Sequence, residues 1–290
     1  MRIGTRKSPL ALAQAEMFLE ACRAVAPDIR YELTPMSTMG DVILDRPLYE
    51  LDGKGMFISV FEKALMAGEI DVAVHSGKDM PAEIPGELTV GAVLTRGSPG
   101  DVLVTLRGGV PGEHAVIGTS SLRRAWQVRT YLGYETKPVR GNVGTRLKKL
   151  QEGEVDGLIL AAAGLERLSG LSLSSYELTE LSLEEFLPAP TQGIIAAQCR
   201  RDTPFGELLE AVSDRETMAC FAAERAYLRA VGADCRQPVA AYSSCRGNIL
   251  HMTAAYWREG KPWYTRVSGA STADDGERLG EELAERILTL

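Results

Sequence analysis

The chain has 290 residues, 45% of them hydrophobic, with 32 Lys and Arg against 39 Asp and Glu, a formal charge of −7. That length allows two or three domains, each with its own core. The acidic balance argues against nucleic acid as partner, and no apolar run approaches the roughly 20 residues that cross a bilayer.

In chain order, Arg2 to Thr5 reads as a strand and 9–24 as a helix, with Leu12, Ala15, Leu19 and Cys22 on one face and Pro9 tolerated in the first turn. A strand is expected over 30–35, a helix over 57–67 through Phe57, Phe61 and Leu65, and a buried strand over 71–75. Strands at 102–105 and 116–117 follow, then a helix from Ser120 or Ser121 to about Tyr131 and another capped by Thr145 running to Gln151. A strand at 158–160 leads into a helix through Arg167, and Pro188, Pro190 and Gly193 mark a crossing between domains. Alternation of this kind predicts parallel sheets with crossover helices. The last third has a different pattern, with a helix over 217–231, three strand-like runs at 239–243, 249–257 and 263–268, and a final helix with Leu279, Leu283 and Ile287 on one face. This reads as a small α+β domain. No internal sequence repeat is present.

The chemistry concentrates in a few stretches. Asp79 lies just past the strand ending at His75, where open α/β sheets place ligands; it is read either as a turn cap or as a proton-transfer group beside Lys78. From Gly118 to Leu150 the acidic chain turns basic, with eight Lys and Arg against one acid, Glu135. Gly118-Thr-Ser-Ser121 joins a strand to a helix, and free N–H groups there favour an anion. Arg123 and Arg124 in that first turn oppose the helix dipole, which a bound anion explains better than helix stability does; a solvated charged face is the alternative. Arg140-Gly-Asn-Val-Gly-Thr-Arg146 repeats the design, and Arg forks suit a ligand with several carboxylates. The five cysteines (Cys22, Cys199, Cys220, Cys235, Cys245) and three histidines are scattered without metal-ligand spacing, so no metal and no disulfide scaffold are expected. Cys235, beside Arg236, is either an ordinary thiol or a reactive one. Without a leader before the first strand, a reduced cytoplasmic protein is expected.

These stretches, taken in order, resemble the porphobilinogen deaminase (hydroxymethylbilane synthase) family. The resemblance rests on Gly4-Thr-Arg-Lys-Ser-Pro-Leu-Ala-Leu12, Gly40-Asp41, Gly53-Lys-Gly-Met-Phe57, Ala73-Val-His-Ser-Gly-Lys-Asp-Met-Pro81, Gly118 to Arg124, Arg140 to Leu147, Ala163-Gly-Leu-Glu-Arg167, Gln192-Gly193 and Glu224-Arg225. It implies an α/β fold of three domains. Two lobes like those of periplasmic binding proteins (1–95 with 192–213, and 98–188) precede a small C-terminal α+β domain (216–290). It further implies a monomeric transferase that condenses four porphobilinogen molecules head to tail, releasing ammonia, on the route to porphyrin and haem. The family's dipyrromethane cofactor, joined by a thioether, falls on Cys235. Its catalytic aspartate falls on Asp79. Cofactor contacts fall on Lys78, Ser121, Arg123, Arg124 and Arg140, and substrate contacts on Arg6, Ser8, Phe57, Thr119, Arg146 and Arg167. The sequence departs from the family at Ala233-Asp234, where Gly-Gly is usual, and at Thr191, where the turn usually has Gly. A non-catalytic carboxylate binder on the same two-lobed fold is the competing reading.

Overall fold

The computed structural model of the protein describes residues 1–37, 59–109, 111–233, 237–257 and 265–290. Phe57 and Cys235 lie outside the described residues, as do parts of the expected helix at 57–67 and strand at 263–268.

The first sheet holds β1 (Arg2–Arg6), β2 (Glu32–Met36), β3 (Val72–Ser76), β4 (Leu88–Val93) and β10 (Ile195–Arg200) in the order β2-β1-β3-β10-β4. The second holds β5 (Asp101–Leu106), β6 (Val116–Gly118), β7 (Glu135–Lys137), β8 (Gly157–Ala161) and β9 (Tyr176–Glu180) in the order β7-β6-β8-β5-β9. The two sheets share one plan: three strands run parallel, and the fourth position is taken by an antiparallel strand, β10 or β5. Fully parallel sheets were the expectation from the alternating elements, and the structure corrects it. β5 begins where the chain has just left the first lobe, and β10 where it returns, so the antiparallel strand of each sheet is the one that arrives from the other lobe. Two crossings therefore join the lobes, one at 94–100 and one at 187–194.

Helix α1 (Pro9–Val25) starts from Ser8, whose hydroxyl accepts from the Ala11 N–H at 3.3 Å, and buries Ala15, Phe18, Leu19 and Cys22 against β1 and β3. Helix α2 (Ser59–Met66) buries Phe61, Ala64 and Leu65. Helix α3 (Leu122–Gln127) is shorter than the expected span to Tyr131. It widens into a π turn over Val128–Leu132 that ends at Gly133, whose φ of 72° is a left-handed value. Helix α4 (Val143–Gln151) is capped by Asn142, which accepts from the Thr145 N–H at 2.9 Å; the expected cap, Thr145, is itself inside the helix. A one-turn helix, α5 (Ala162–Glu166), and α6 (Gly206–Val212) complete the lobes.

The third domain packs α7 (Arg215–Ala230) and α8 (Gly276–Thr289) on an antiparallel sheet of β11 (Val239–Arg246), β12 (Ile249–Tyr256) and β13 (Thr265–Thr272). Leu279, Leu283 and Ile287 of α8 are buried with Tyr227 and Ala223 of α7, each large side chain contributing about 1.5–3 kcal/mol. Among the contacts that fasten this domain to the lobes are one apolar and one polar. Phe221 of α7 joins Met80, Val93, Ile194 and Ala196 in one apolar cluster, and the Ala241 N–H donates to the Pro188 carbonyl of the returning crossing at 3.1 Å.

The crossing of α7 and α8 is tight because Gly280 carries no side chain. A Cβ there would run into the Ala223 carbonyl oxygen and come within 2.8 Å of the Tyr227 nitrogen, both backbone atoms that cannot step aside. Gly280→Ala is therefore expected to destabilise the protein by at least about 2 kcal/mol, at the upper end of overpacking costs. Urea unfolding measures it, and an unchanged midpoint would contradict so close a crossing.

Candidate functional site

β3 ends at Ser76 and runs into a single 3-10 turn, Gly77–Asp79, which places Lys78 and Asp79 at the carboxyl edge of the first sheet facing the second lobe. The Asp79 carboxylate is partly exposed and lies 3.9 Å from Arg6 at the end of β1. Beside it, Arg6, Ser8, Gln14, His75 and Ser76 line a cavity of about 50 Å³. Burial pushes the His75 imidazole down to about 4, so it is neutral near pH 7, with Nε2 3.2 Å from Gln198 Oε1. A larger cavity of about 370 Å³ opens between the start of α1 and the start of α4, with Pro9, Leu10, Val143 and Arg167 on its walls.

From the second lobe come the cations. The strand–helix joint at Gly118 orders Thr119 and Ser121: the Thr119 N–H donates to the Lys137 carbonyl, the Thr119 hydroxyl accepts from the Ser121 N–H, and the Ser121 hydroxyl accepts from the Arg124 N–H. Arg123 and Arg124 do not stand in solvent. They are 3% and 6% exposed, and each grips the buried carboxylate of Asp101 at the start of β5, at 2.8 and 2.6 Å. Arg123 also donates to Gln127 and to the Leu187 carbonyl, and Arg124 to the Ile159 carbonyl. The anion that two arginines in a helix's first turn call for is thus, in the first place, one of the chain's own. Burial alone would raise the Asp101 carboxyl, but Arg123 and Arg124 hold it well below the ordinary carboxylate range.

Gln192, on the returning crossing, closes this cluster. Its amide nitrogen donates to Asp101 at 2.9 Å and to the Pro99 and Gly100 carbonyls, and its amide oxygen accepts from Lys78 at 3.2 Å. One side chain therefore links the turn of the first lobe to the ion cluster of the second. Lys78 has no ion-pair partner among the described residues, and burial together with nearby Arg124 lowers its ammonium to about 8. Arg146, in α4, has its guanidinium hydrogen-bonded to the Gly141 carbonyl and no carboxylate partner among the described residues. Burial, then Arg124 and Arg140, lower it to about 10, and Asp79 partly offsets them. Arg167 reaches across to the Gly193 carbonyl at 2.6 Å.

Sequence reasoning missed Asp101 and gave Gln192 no role. The available signal was an acid opening the apolar run Val102–Val104, an expensive place for a carboxylate unless it is paired. It also missed Arg96, which pairs with the fully buried Glu224 of α7 at 2.6 Å and lies 5.0 Å from the centre of the Tyr242 ring. Glu224 further accepts from the Ser243 N–H and hydroxyl and from the Thr191 N–H. Thr191, set where the turn bends, holds a φ of 60°, a left-handed value uncommon for a β-branched residue. Among the described residues no three His, Cys, Asp or Glu side chains gather as metal ligands, and no helix is long and apolar enough to cross a membrane.

The fold and site define a two-lobed α/β protein with a third domain packed on the crossings and several cations gathered around the Asp79 carboxylate. Comparison with known proteins narrows the class. Residues 1–205 match the family described as "Porphobilinogen deaminase, dipyromethane cofactor binding domain", and residues 218–289 match "Porphobilinogen deaminase, C-terminal domain". The chain is 41% identical over 295 residues to a porphobilinogen deaminase of Alkaliphilus metalliredigens, covering 99% of this chain and 92% of that one. It is 39% identical over 288 residues to one of Ruminiclostridium josui, covering 99% and 97%. Among solved structures, the periplasmic aliphatic sulphonate binding protein SsuA of Escherichia coli aligns with a TM-score of 0.43 at 14% identity, over 79% of this chain and 69% of that one. The chain belongs to the porphobilinogen deaminase family.

Asp101 generates the test of this geometry. Replacing it with Asn leaves two buried guanidinium charges uncompensated, and breaking such a pair costs about 3–5 kcal/mol. Because its folded pKa is depressed below the ordinary 3.8, its stabilisation is complete above that pH and is lost only as pH falls towards the folded value. The stability gap between the parent and Asp101→Asn should therefore be flat from pH 8 to 5 and shrink below about 4. A gap under 1 kcal/mol at pH 7, measured by urea unfolding, would contradict the ion cluster.

Proposed function

We propose that the protein is a working porphobilinogen deaminase, a transferase that joins four porphobilinogen molecules head to tail with loss of ammonia at each step, water then releasing the four-ring chain as hydroxymethylbilane. The observation that carries this reading is the setting of Asp79: a carboxylate outside the ion cluster, 3.9 Å from Arg6 and within electrostatic reach of the Lys78 and Arg146 cations.

Each porphobilinogen carries an acetate and a propionate, so the growing chain accumulates negative charge. Crowded cations fit such a ligand, since bound carboxylates would offset the burial and repulsion that lower Arg146. The same crowding fits dipyrromethane, which when bound supplies the first two rings of the chain. Lys78, Arg140 and Arg146 are proposed to take its carboxylates and those that follow, with Thr119 and Ser121 hydrogen-bonding nearby. Arg6, Ser8, Phe57 and Arg167 are proposed to receive the incoming monomer. Arg123 and Arg124 are proposed to act through the cluster they form with Asp101, which fixes the cationic wall.

In each condensation a pyrrole α-carbon attacks an aminomethyl carbon, the C–N bond breaks to release ammonia, and the ring α-proton leaves. Asp79 is proposed to stabilise the positive charge at the pyrrole nitrogen and then to take the ring proton. The attachment of the cofactor to Cys235 rests on the family resemblance. The four described cysteines are buried, and burial raises all of their thiols, those of Cys22 and Cys220 to about 11, which makes them poor nucleophiles. A monomeric cytoplasmic enzyme, with domains at 1–95 with 192–213, 98–188 and 216–290, completes the proposal.

Asp79→Asn keeps the shape and loses both roles of the carboxylate. Turnover of cofactor-loaded variant is expected to fall about a hundredfold or more, the scale of general acid–base catalysis. Near-normal turnover would remove Asp79 from the chemistry. Intact mass tests the attachment: the parent should carry one dipyrromethane beyond its chain mass and Cys235→Ala should not, whereas an adduct retained in the variant would sink the assignment.

A further inference from the structure

The turn that carries Asp79 is held from behind by the third domain. Phe221 and Arg225 sit one turn apart on α7, and both face it. Phe221 packs on Met80, and a Cβ placed on Gly77 would lie 3.2 Å from the Phe221 ring. The Arg225 guanidinium lies 5.4 Å from the centre of that ring and sends Nη2 to two successive carbonyls, Pro81 at 2.7 Å and Ala82 at 2.8 Å.

This is a costly use of an arginine. Arg225 is 4% exposed, makes no ion pair among the described residues, and leaves Nη1 without a hydrogen-bond partner among them. Burial, then nearby Arg229, lower it to about 10, so a charged fork is kept here against its own desolvation. One guanidinium nitrogen that donates to two successive carbonyls fixes the position of a loop in a way that an apolar side chain of the same length cannot. The carbonyls it fixes lie two and three residues beyond Asp79.

We propose that Arg225 is a positioning residue for Asp79, holding the Gly77–Ala82 segment in register with the cleft from the cofactor-carrying domain. The inference rests on the reading of Asp79 as the catalytic carboxylate. Arg225 never reaches the cleft; it sets where the carboxylate stands. Helix α7 also leads along the chain towards Cys235, so the element that precedes the attachment cysteine in sequence is the one that grips the aspartate turn.

The test is a double-mutant cycle between Arg225→Met and Asp79→Glu in holoenzyme of verified cofactor mass. Methionine keeps most of the length of the stem while removing the fork and the buried charge. Misplacing a reacting group by about 1 Å can cost about a hundredfold, so Arg225→Met should lower kcat about tenfold or more while the porphobilinogen KM stays within about twofold. Arg225→Lys, which keeps the charge and N–H donors but not the planar, longer guanidinium, should recover part of the loss. Because glutamate extends the carboxylate, the penalty of Asp79→Glu should differ by about fivefold or more between the parent and the Arg225→Met variant, the mark of coupled positions. A merely structural role predicts independent, multiplying losses and a KM that moves with kcat, and either result overturns the proposal, as does parental kcat in Arg225→Met. If Arg225→Met does not accumulate, the same cycle with Arg225→Lys decides by the same criterion. Asp79→Asn is run in parallel: normal turnover there overturns the reading of Asp79 itself, while an impaired Asp79→Asn beside an unimpaired Arg225→Met overturns only the role of Arg225.

Discussion

The structure depends on one buried carboxylate. Asp101 starts the strand that follows the first crossing, is 1% exposed, and holds Arg123 and Arg124 while Gln192 of the second crossing donates to it. A lone carboxylate in that position would be several kcal/mol out of place, and two lone guanidiniums likewise. Together they satisfy each other at the point where both crossings meet. Since Gln192 also accepts from Lys78, the position of the Asp79 turn is coupled to the cation wall opposite it.

From this follows the division of labour among the basic residues. Arg123 and Arg124 sit inside the cluster and give the second lobe a fixed inner wall. Lys78 and Arg146 lie nearer the cleft, and their lowered pKa values record repulsion and burial that a carboxylate-bearing ligand would offset. The third domain adds a second buried ion pair, Arg96 with Glu224, at the other side of the crossings. Adjacent residues on α7 thus do two jobs, Glu224 securing the crossings and Arg225 the aspartate turn. A fold assembled from separate lobes in this way has its polar groups concentrated where the lobes join.

Much of this was legible in the sequence, for physical reasons that differ by element. Helices α1 and α8 carry unbroken apolar faces, and their positions could be read from spacing alone. The stretch ending at Asp79 announced itself as a buried strand followed by a turn. Strand direction was not legible: the apolar run of β10 looks the same whether it pairs parallel or antiparallel, because direction is set by which lobe the chain arrives from. The cap of α4 was displaced from Thr145 to Asn142 because either residue can accept from a free N–H, and only the extended backbone at Asn142 decides. Arg123 and Arg124 were read as facing a bound anion, and in the structure the anion they face is the chain's own Asp101. That Asp101 supplies it, from some twenty residues away in sequence, is a tertiary fact with no local mark beyond an acid beside an apolar run. The remaining site assignments, that of Cys235 above all, come from the family resemblance and had no mark in the spacing.

The central claim is that the product is built on this chain, ring by ring, at Cys235 and in front of Asp79. Mixing holoenzyme with a limiting amount of porphobilinogen, quenching, and recording intact mass with peptide mapping tests it most directly. The expected result is a ladder above the holoenzyme mass, each step one porphobilinogen less one ammonia, confined to the peptide that contains Cys235. Free product without any covalent ladder, or increments on a peptide that lacks Cys235, would contradict it.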